Sequence, residues 1–236
     1  MRVEDWVEAF KLHAQTPEHR ERLREAQLII KEALARFKKP YVAYSGGKDS
    51  TCLLHLVLKF KPDITVLHWD YGPYLMPREL EHEILENARK IGARNIRVET
   101  SPKYLKLKRS AVNVLGSDFL GKLLPRLAAE GFDAAFIALR AEEAVKRRLR
   151  VREPFRKGKA GLWEVYPLRS WTWMDVWSYI YTNSLPILSY YLKYCPILGW
   201  DKTRFVTLFD KEFEKYGTPI VDGVLSWRWK HTPHPT

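Results

Sequence analysis

The sequence predicts an α/β fold: a doubly wound, mostly parallel sheet with helices on both faces. Three observations predict it. Short β-rich runs alternate with stretches whose apolar residues recur at helical spacing, a glycine turn joins the first such run directly to a helix, and 236 residues at 46% hydrophobic and 29% charged suffice for one substantial core. Thr16 is placed to cap a helix with Pro17 at its first position, and Leu23, Ala26, Ile30, Leu34 and Phe37 then share one face until Pro40. Tyr41 to Tyr44 reads as a strand, Ser45-Gly46-Gly47 as a turn, and Leu53, Leu54, Val57 and Leu58 as the apolar side of the next helix. The rhythm repeats as strand Ile64 to Trp69, helix Arg78 to Ile91, strand Asn95 to Glu99, helix Phe119 to Ala129 and strand Ala134 to Leu139. Such alternation calls for parallel strands joined by right-handed helical crossovers. Beyond Arg140, Pro154 to Gly161 reads as a mobile basic loop at the surface and Leu162 to Tyr166 as a strand. Thr172 with Asp175 has capping-box spacing ahead of Val176, Trp177, Ile180 and Tyr181, and one more helix is expected near Lys202 to Tyr216.

Composition narrows the classes. Forty Lys and Arg against 28 Asp and Glu leave a net charge of +12, which suits nucleic acid, anionic lipid or a small polyanionic substrate. The cations gather in two stretches, Lys103 to Arg109 and Lys146 to Lys159; the second reads equally as a solvated helix face with a loop or as a lid over a polyanion. The longest apolar run, Ala134 to Leu139, is far below the roughly 18 residues a bilayer span needs, and Glu4 and Asp5 stand where a signal peptide would be basic. No membrane association is expected, and the cytoplasm is the expected compartment. Cys52 and Cys195 are the only cysteines, and without a CxxC pair neither an iron-sulfur cluster nor structural zinc is expected.

The segment that carries chemistry is Tyr44-Ser45-Gly46-Gly47-Lys48-Asp49-Ser50. In an open α/β sheet ligands collect beyond the carboxyl ends of the strands, and this segment leaves the first strand to open a helix. Its glycines let backbone N–H groups turn towards a ligand, and the positive end of the helix favours an anion there. Ser45 and Ser50 offer hydroxyls and Lys48 a point charge. Asp49 would repel a bare phosphate, so it implies either a bound Mg²⁺ or a structural hydrogen bond to the loop amides. The Gly-x-x-x-x-Gly-Lys spacing of a Walker A loop is missing, which turns expectation away from γ-phosphoryl transfer. Arg140 follows the apolar fourth strand at the same edge, and its planar fork suits phosphate or sulfate. Glu142 and Glu143 would either orient Arg140 or begin the next helix.

The loop Ser45 to Ser50 resembles the pyrophosphate-binding loop of the PP-loop, or adenine nucleotide alpha hydrolase-like, superfamily. Leu139-Arg140-Ala141-Glu142-Glu143 with Arg147 and Arg148, and Pro167-Leu168-Arg169-Ser170-Trp171-Thr172-Trp173-Met174-Asp175-Val176-Trp177, are similar to segments of its phosphoadenylyl sulfate (PAPS) reductase branch. That branch also holds the small subunit of sulfate adenylyltransferase and a group of FAD synthetases. The resemblance implies a PP-loop nucleotide-binding domain over residues 40–182, with an N-terminal helical extension at 1–39 and a C-terminal extension at 183–236 packed on it. It implies ATP or an adenylyl sulfate as substrate, a small anionic acceptor, Mg²⁺, a role in sulfate assimilation, and chemistry at the α-phosphorus with pyrophosphate release. In that scheme Lys48, Asp49 and Arg140 are catalytic, and Tyr44, Ser45, Gly46, Gly47, Ser50 and Asp70 bind the nucleotide. Arg140, Arg147 and Arg148 take the substrate anion, Asp49 meets the metal, and a homodimer is allowed for. Asp70 ends the second strand and reads equally as a turn residue capping local amides. Trp171, Trp173 and Trp177 are expected to pack the sheet edge, with one ring available to stack on a base.

One departure matters. Reductases of the branch carry a nucleophilic cysteine near the C-terminus, and this chain ends Trp229-Lys230-His231-Thr232-Pro233-His234-Pro235-Thr236. Without that thiolate, reductase chemistry needs Cys195 or a partner's thiol. A further alternative is binding or modification of tRNA or another nucleic acid. All of these readings require the amide hydrogens from Ser45 to Ser50 to converge on a hollow that takes a charged tail.

Overall fold

The computed structural model describes residues 3–72, 76–102 and 118–205. Helices α1 (Val3–His13) and α2 (Pro17–Arg36) precede strand β1 (Pro40–Ala43), and α3 (Lys48–Leu58), β2 (Thr65–Asp70), α4 (Arg78–Ile91) and β3 (Asn95–Thr100) follow. A π-turn (Phe119–Leu123) runs into α5 (Leu124–Ala129) and then β4 (Ala134–Phe136), α6 (Val145–Arg150), β5 (Phe155–Lys157), β6 (Trp163–Val165), α7 (Trp173–Thr182) and α8 (Ser189–Leu198). The six strands lie in the order β3-β2-β1-β4-β6-β5. All neighbours are parallel except β5 and β6. The order is that of a doubly wound sheet. The chain steps from β1 outward to β3, then returns across the sheet to β4 on the other side of β1. Right-handed crossovers put α3 and α4 on one face and α5 on the other.

Local chemistry sets the ends of these elements. Thr16 caps α2 by accepting the His19 N–H at 3.3 Å, and Pro17 occupies the first turn, where no N–H is needed. Gly92, at φ 110°, ends α4 in the left-handed region. Thr172 and Asp175 form the expected capping box at the start of α7.

Three elements differ from the sequence reading, and a fourth, α1, lies within the helical extension expected at 1–39 but packs into the core. Pro154 to Gly161 is not a loop throughout, because Phe155–Lys157 pairs antiparallel with β6. Its aromatic residue is the reason: Phe155 and Trp163 meet Phe37, and the Arg36 guanidinium lies 4.4 Å from the Trp163 ring centre. Helix α1 had no capping signal, yet it buries Phe10 against Trp177, Tyr181 and Trp200 with ring centres 5.3–6.2 Å apart. Helix α8 forms despite Pro196, which lies in its last turn. Lys202 is in a turn and Thr203 to Phe205 are irregular, while the rest of the helix expected to Tyr216 lies outside the described residues. Trp171 and Trp177 are core residues, 1% and 0% exposed, so neither ring is presented to a base. Among the described residues no helix is long and apolar enough to cross a membrane.

Candidate functional site

In this sheet the order reverses between β1 and β4, and the chains leaving those two strands flank the crevice where doubly wound folds collect ligands. The first is the loop from Tyr44 to Gly47. Gly46 has φ +81° and lies so close to α4 that a Cβ there would sit 2.5 Å from Ile84 Cγ1, so glycine is needed for conformation and for space alike. Gly47 is the N-cap of α3. The second is the stretch Ile137 to Arg140, whose last residue swings back over α3.

Charged side chains from both meet there. Lys48 and Arg140 are 1% and 3% exposed. Arg140 Nε donates to Asp49 Oδ1 at 2.5 Å, and Lys48 Nζ stands 3.3 Å from Asp49 Oδ2. Burial by itself would raise the Asp49 pKa, but the Arg140 and Lys48 charges outweigh it and hold the carboxyl well below the usual range. Burial would lower the Arg140 pKa, but Asp49 and Glu143 raise it above the ordinary arginine value. Arg140 also donates to Glu142 Oε2 at 2.7 Å, and its own N–H is accepted by Glu143 Oε2 at 3.1 Å. Arg147 turns inward to the same Glu143 at 2.5 Å, whereas Arg148 is exposed. Lys48, Arg140 and Arg147 therefore face Asp49, Glu142 and Glu143, three charges of each sign.

Three of the loop amides have partners already. Ser45 N–H points to Ser50 Oγ at 3.4 Å, Gly47 N–H to Ser45 Oγ at 3.3 Å, and Lys48 N–H to the Tyr191 hydroxyl at 3.1 Å. Each acceptor is a hydroxyl, and the two serine contacts are long. The Tyr191 oxygen also accepts the Phe205 N–H at 3.2 Å, and Lys48 Nζ donates to Thr203 O at 3.2 Å. The chain around Thr203 thus lies beside the loop. Tyr191 and Thr203 escaped the sequence reading because no local pattern ties them to a loop more than 140 residues away.

Asp70 takes the turn role in this structure. It accepts the Gly72 N–H at 2.7 Å and both Arg78 terminal nitrogens at 2.8 Å, which keeps its carboxyl below the ordinary value against the effect of burial. The donors around Asp49 do not fit a Mg²⁺ held by that residue: each of its oxygens faces a cation. Cys52 and Cys195 are 0% exposed, and burial pushes the Cys52 thiol well up.

Residues 39–216 match the model of the phosphoadenosine phosphosulfate reductase domain, a span that takes in β1, the loop, Arg140 and the tryptophan-rich segment. The chain belongs to that family. Among its relatives, sulfate adenylyltransferase subunit 2 of Bradyrhizobium sp. is 31% identical over 202 residues, covering 71% of this chain and 61% of the relative. The Proteus mirabilis protein of the same name is 27% identical over 239 residues, covering 86% and 77%. The chain thus spans 61% of the length of the first relative and 77% of the second. Its fold is shared by the phosphate complex of PAPS reductase from Candida auris, at TM-score 0.51 over 80% of this chain and 91% of the other with 16% identity. It is shared too by FMN adenylyltransferase from Candida glabrata with FAD and inorganic pyrophosphate, at TM-score 0.56 over 81% and 69% with 16% identity.

Proposed function

We propose that this domain binds ATP with its pyrophosphate portion on the Ser45 to Ser50 loop and acts at the α-phosphorus, releasing pyrophosphate and passing the adenylyl group to a small anionic acceptor. The observation that carries the reading is the meeting of Lys48 and Arg140 on Asp49 at the point where the strand order reverses. Lys48 reaches it from the loop that would hold the β and γ phosphates, and Arg140 from the chain end that would face the α-phosphate. Both are buried, where a charge acts with less screening than at the surface. The two serine hydroxyls that the loop amides meet can rotate aside for phosphate oxygens, and the two cations would pass from Asp49 to the phosphates. Asp49 then orients Lys48 and Arg140, and Glu142 and Glu143 hold Arg140 and Arg147 in place. Tyr44, Gly46, Gly47 and Asp70 would shape the nucleotide side, and Arg148, at the exposed face, would meet the acceptor.

The names of the relatives point the same way. Sulfate adenylyltransferase is named for transfer to sulfate, and the Candida glabrata enzyme, seen with FAD and pyrophosphate, is named for transfer to FMN. Sulfate is our first choice of acceptor, and the term "subunit 2" suggests a second protein subunit as partner. A reductase route through Cys195 has less support, since its sulfur is enclosed within α8. The test is incubation of the purified chain with ATP and Mg²⁺, with sulfate or FMN, while pyrophosphate is measured and ATP binding is followed by calorimetry. Pyrophosphate release with one acceptor is the expected result. Neither binding nor release with any acceptor would overturn the reading.

A further inference from the structure

We propose that His68, seated on Glu81, is a positioning residue that aims the first amide of the phosphate loop and so sets how tightly the loop holds pyrophosphate; the inference rests on the reading of that loop given above. Strand β1 leaves the sheet at Tyr44, whose N–H still joins β2 through Leu67 O at 2.9 Å. The Tyr44 carbonyl is met by a side chain: His68 Nδ1 donates to it at 2.8 Å. A peptide unit is planar and trans, so its C=O and N–H point in opposite directions. Holding the Tyr44 oxygen therefore fixes the direction of the Ser45 N–H, which points into the loop towards Ser50 Oγ.

The imidazole is itself held. His68 Nε2 lies 2.8 Å from Glu81 Oε1, with the two side chains 2% and 7% exposed. Neither Nε2 nor the Glu81 oxygens complete a hydrogen bond among the described residues, so the seat is a close polar contact, and the burial of both side chains keeps the ring from turning. Glu81 and Ile84 are three residues apart on α4 and share a face of it. That one helix face thus supports the loop twice, through His68 at the Tyr44–Ser45 peptide and through the contact of Ile84 with Gly46.

The test titrates pyrophosphate and AMP separately into wild type, His68→Leu, His68→Asn and Glu81→Leu by calorimetry, with a melting curve for each. His68→Leu is expected to weaken pyrophosphate about tenfold, the size of one mis-aimed hydrogen bond to a charged group, while AMP changes less than about twofold. His68→Asn, whose amide nitrogen can stand in for Nδ1, should recover most of the loss. Glu81→Leu keeps the ring and removes its seat, and it must also weaken pyrophosphate more than AMP, which carries the test if His68→Leu does not fold. Unchanged pyrophosphate affinity in both leucine variants, or equal losses for the two ligands, overturns the inference. Wild type that binds neither ATP nor pyrophosphate overturns it together with the reading of the loop, and that outcome is visible before any variant is made.

Discussion

At the scale of the residue, the site is a charge-balanced cluster whose members stand in separate strings of the sequence and meet in the structure as one network. Lys48 is its most enclosed member. On the proposed function, Lys48→Ala removes a donor to the phosphates and leaves Asp49 with Arg140 alone, so ATP affinity should fall by about tenfold or more, read by calorimetry, and the melting temperature should fall with it. His55 offers a test by pH. It is half-buried in α3 against the Tyr179 hydroxyl at 2.9 Å, and burial first, then the nearby Lys59, lowers its pKa from 6.5 to about 4. The unfolded chain takes up a proton below about pH 6.5 that the folded chain refuses until about pH 4. The stabilisation from neutral His55 is complete above that window and is lost as pH falls through it. Melting temperature should decline from pH 6.5 to 4, and less steeply in His55→Gln. Legibility at this scale was uneven. Lys48 and Arg140 stand in strings whose chemistry is local, whereas the roles of Tyr191, His68 and Glu81 come from contacts between distant segments and left no mark in any one string.

At the scale of the element, β1, the loop and α4 form one support. Gly46→Ala places a Cβ against Ile84 and forces a side chain into a left-handed backbone, so loss of ATP binding is expected at little cost to the far side of the sheet. Pairing it with Ile84→Ala removes the 2.5 and 2.9 Å contacts, leaves the residue 84 Cβ at 3.2 Å and keeps the backbone strain, so binding should return only in part; full return would show that φ does not matter here. Elements with a clean period or a cap could be read from the sequence: α2 by Thr16 and Pro17, α4 by its amphipathic repeat, α7 by Thr172 and Asp175. The others could not, for physical reasons. Strand β5 has three residues, two of them cations, and takes its conformation from β6. Helix α8 holds a proline, and its inward face is aromatic, so neither propensity nor period singled it out.

At the scale of the whole molecule, the N-terminal helices are part of the core. Phe10 of α1 is 0% exposed among rings from α7 and from Trp200, and His13 and His19 each place a nitrogen 2.9 Å from Asp175 Oδ1 at the cap of α7. Removing residues 1–14 would expose that aromatic cluster and leave Asp175 with fewer partners. The shortened chain is expected to melt at least about 10 °C lower or to aggregate, checked by calorimetric melting and light scattering, since losing a buried Phe alone costs roughly 3–5 kcal/mol. An unchanged melting curve would mean that α1 is an ornament. The doubly wound order was legible because alternation of strand and helix constrains topology so strongly; the packing of α1 was not, because Trp6 and Phe10 meet Trp173, Trp177, Tyr181 and Trp200, rings more than 160 residues away along the chain.

The sheet's outermost strand, β5, runs antiparallel, has three residues, and turns Arg156 and Lys157 outward. A foreign strand that tried to extend the sheet there would find few free backbone groups and two like charges to desolvate. Fibril growth is thereby discouraged on that flank, which gives lysine and arginine a use there apart from any ligand.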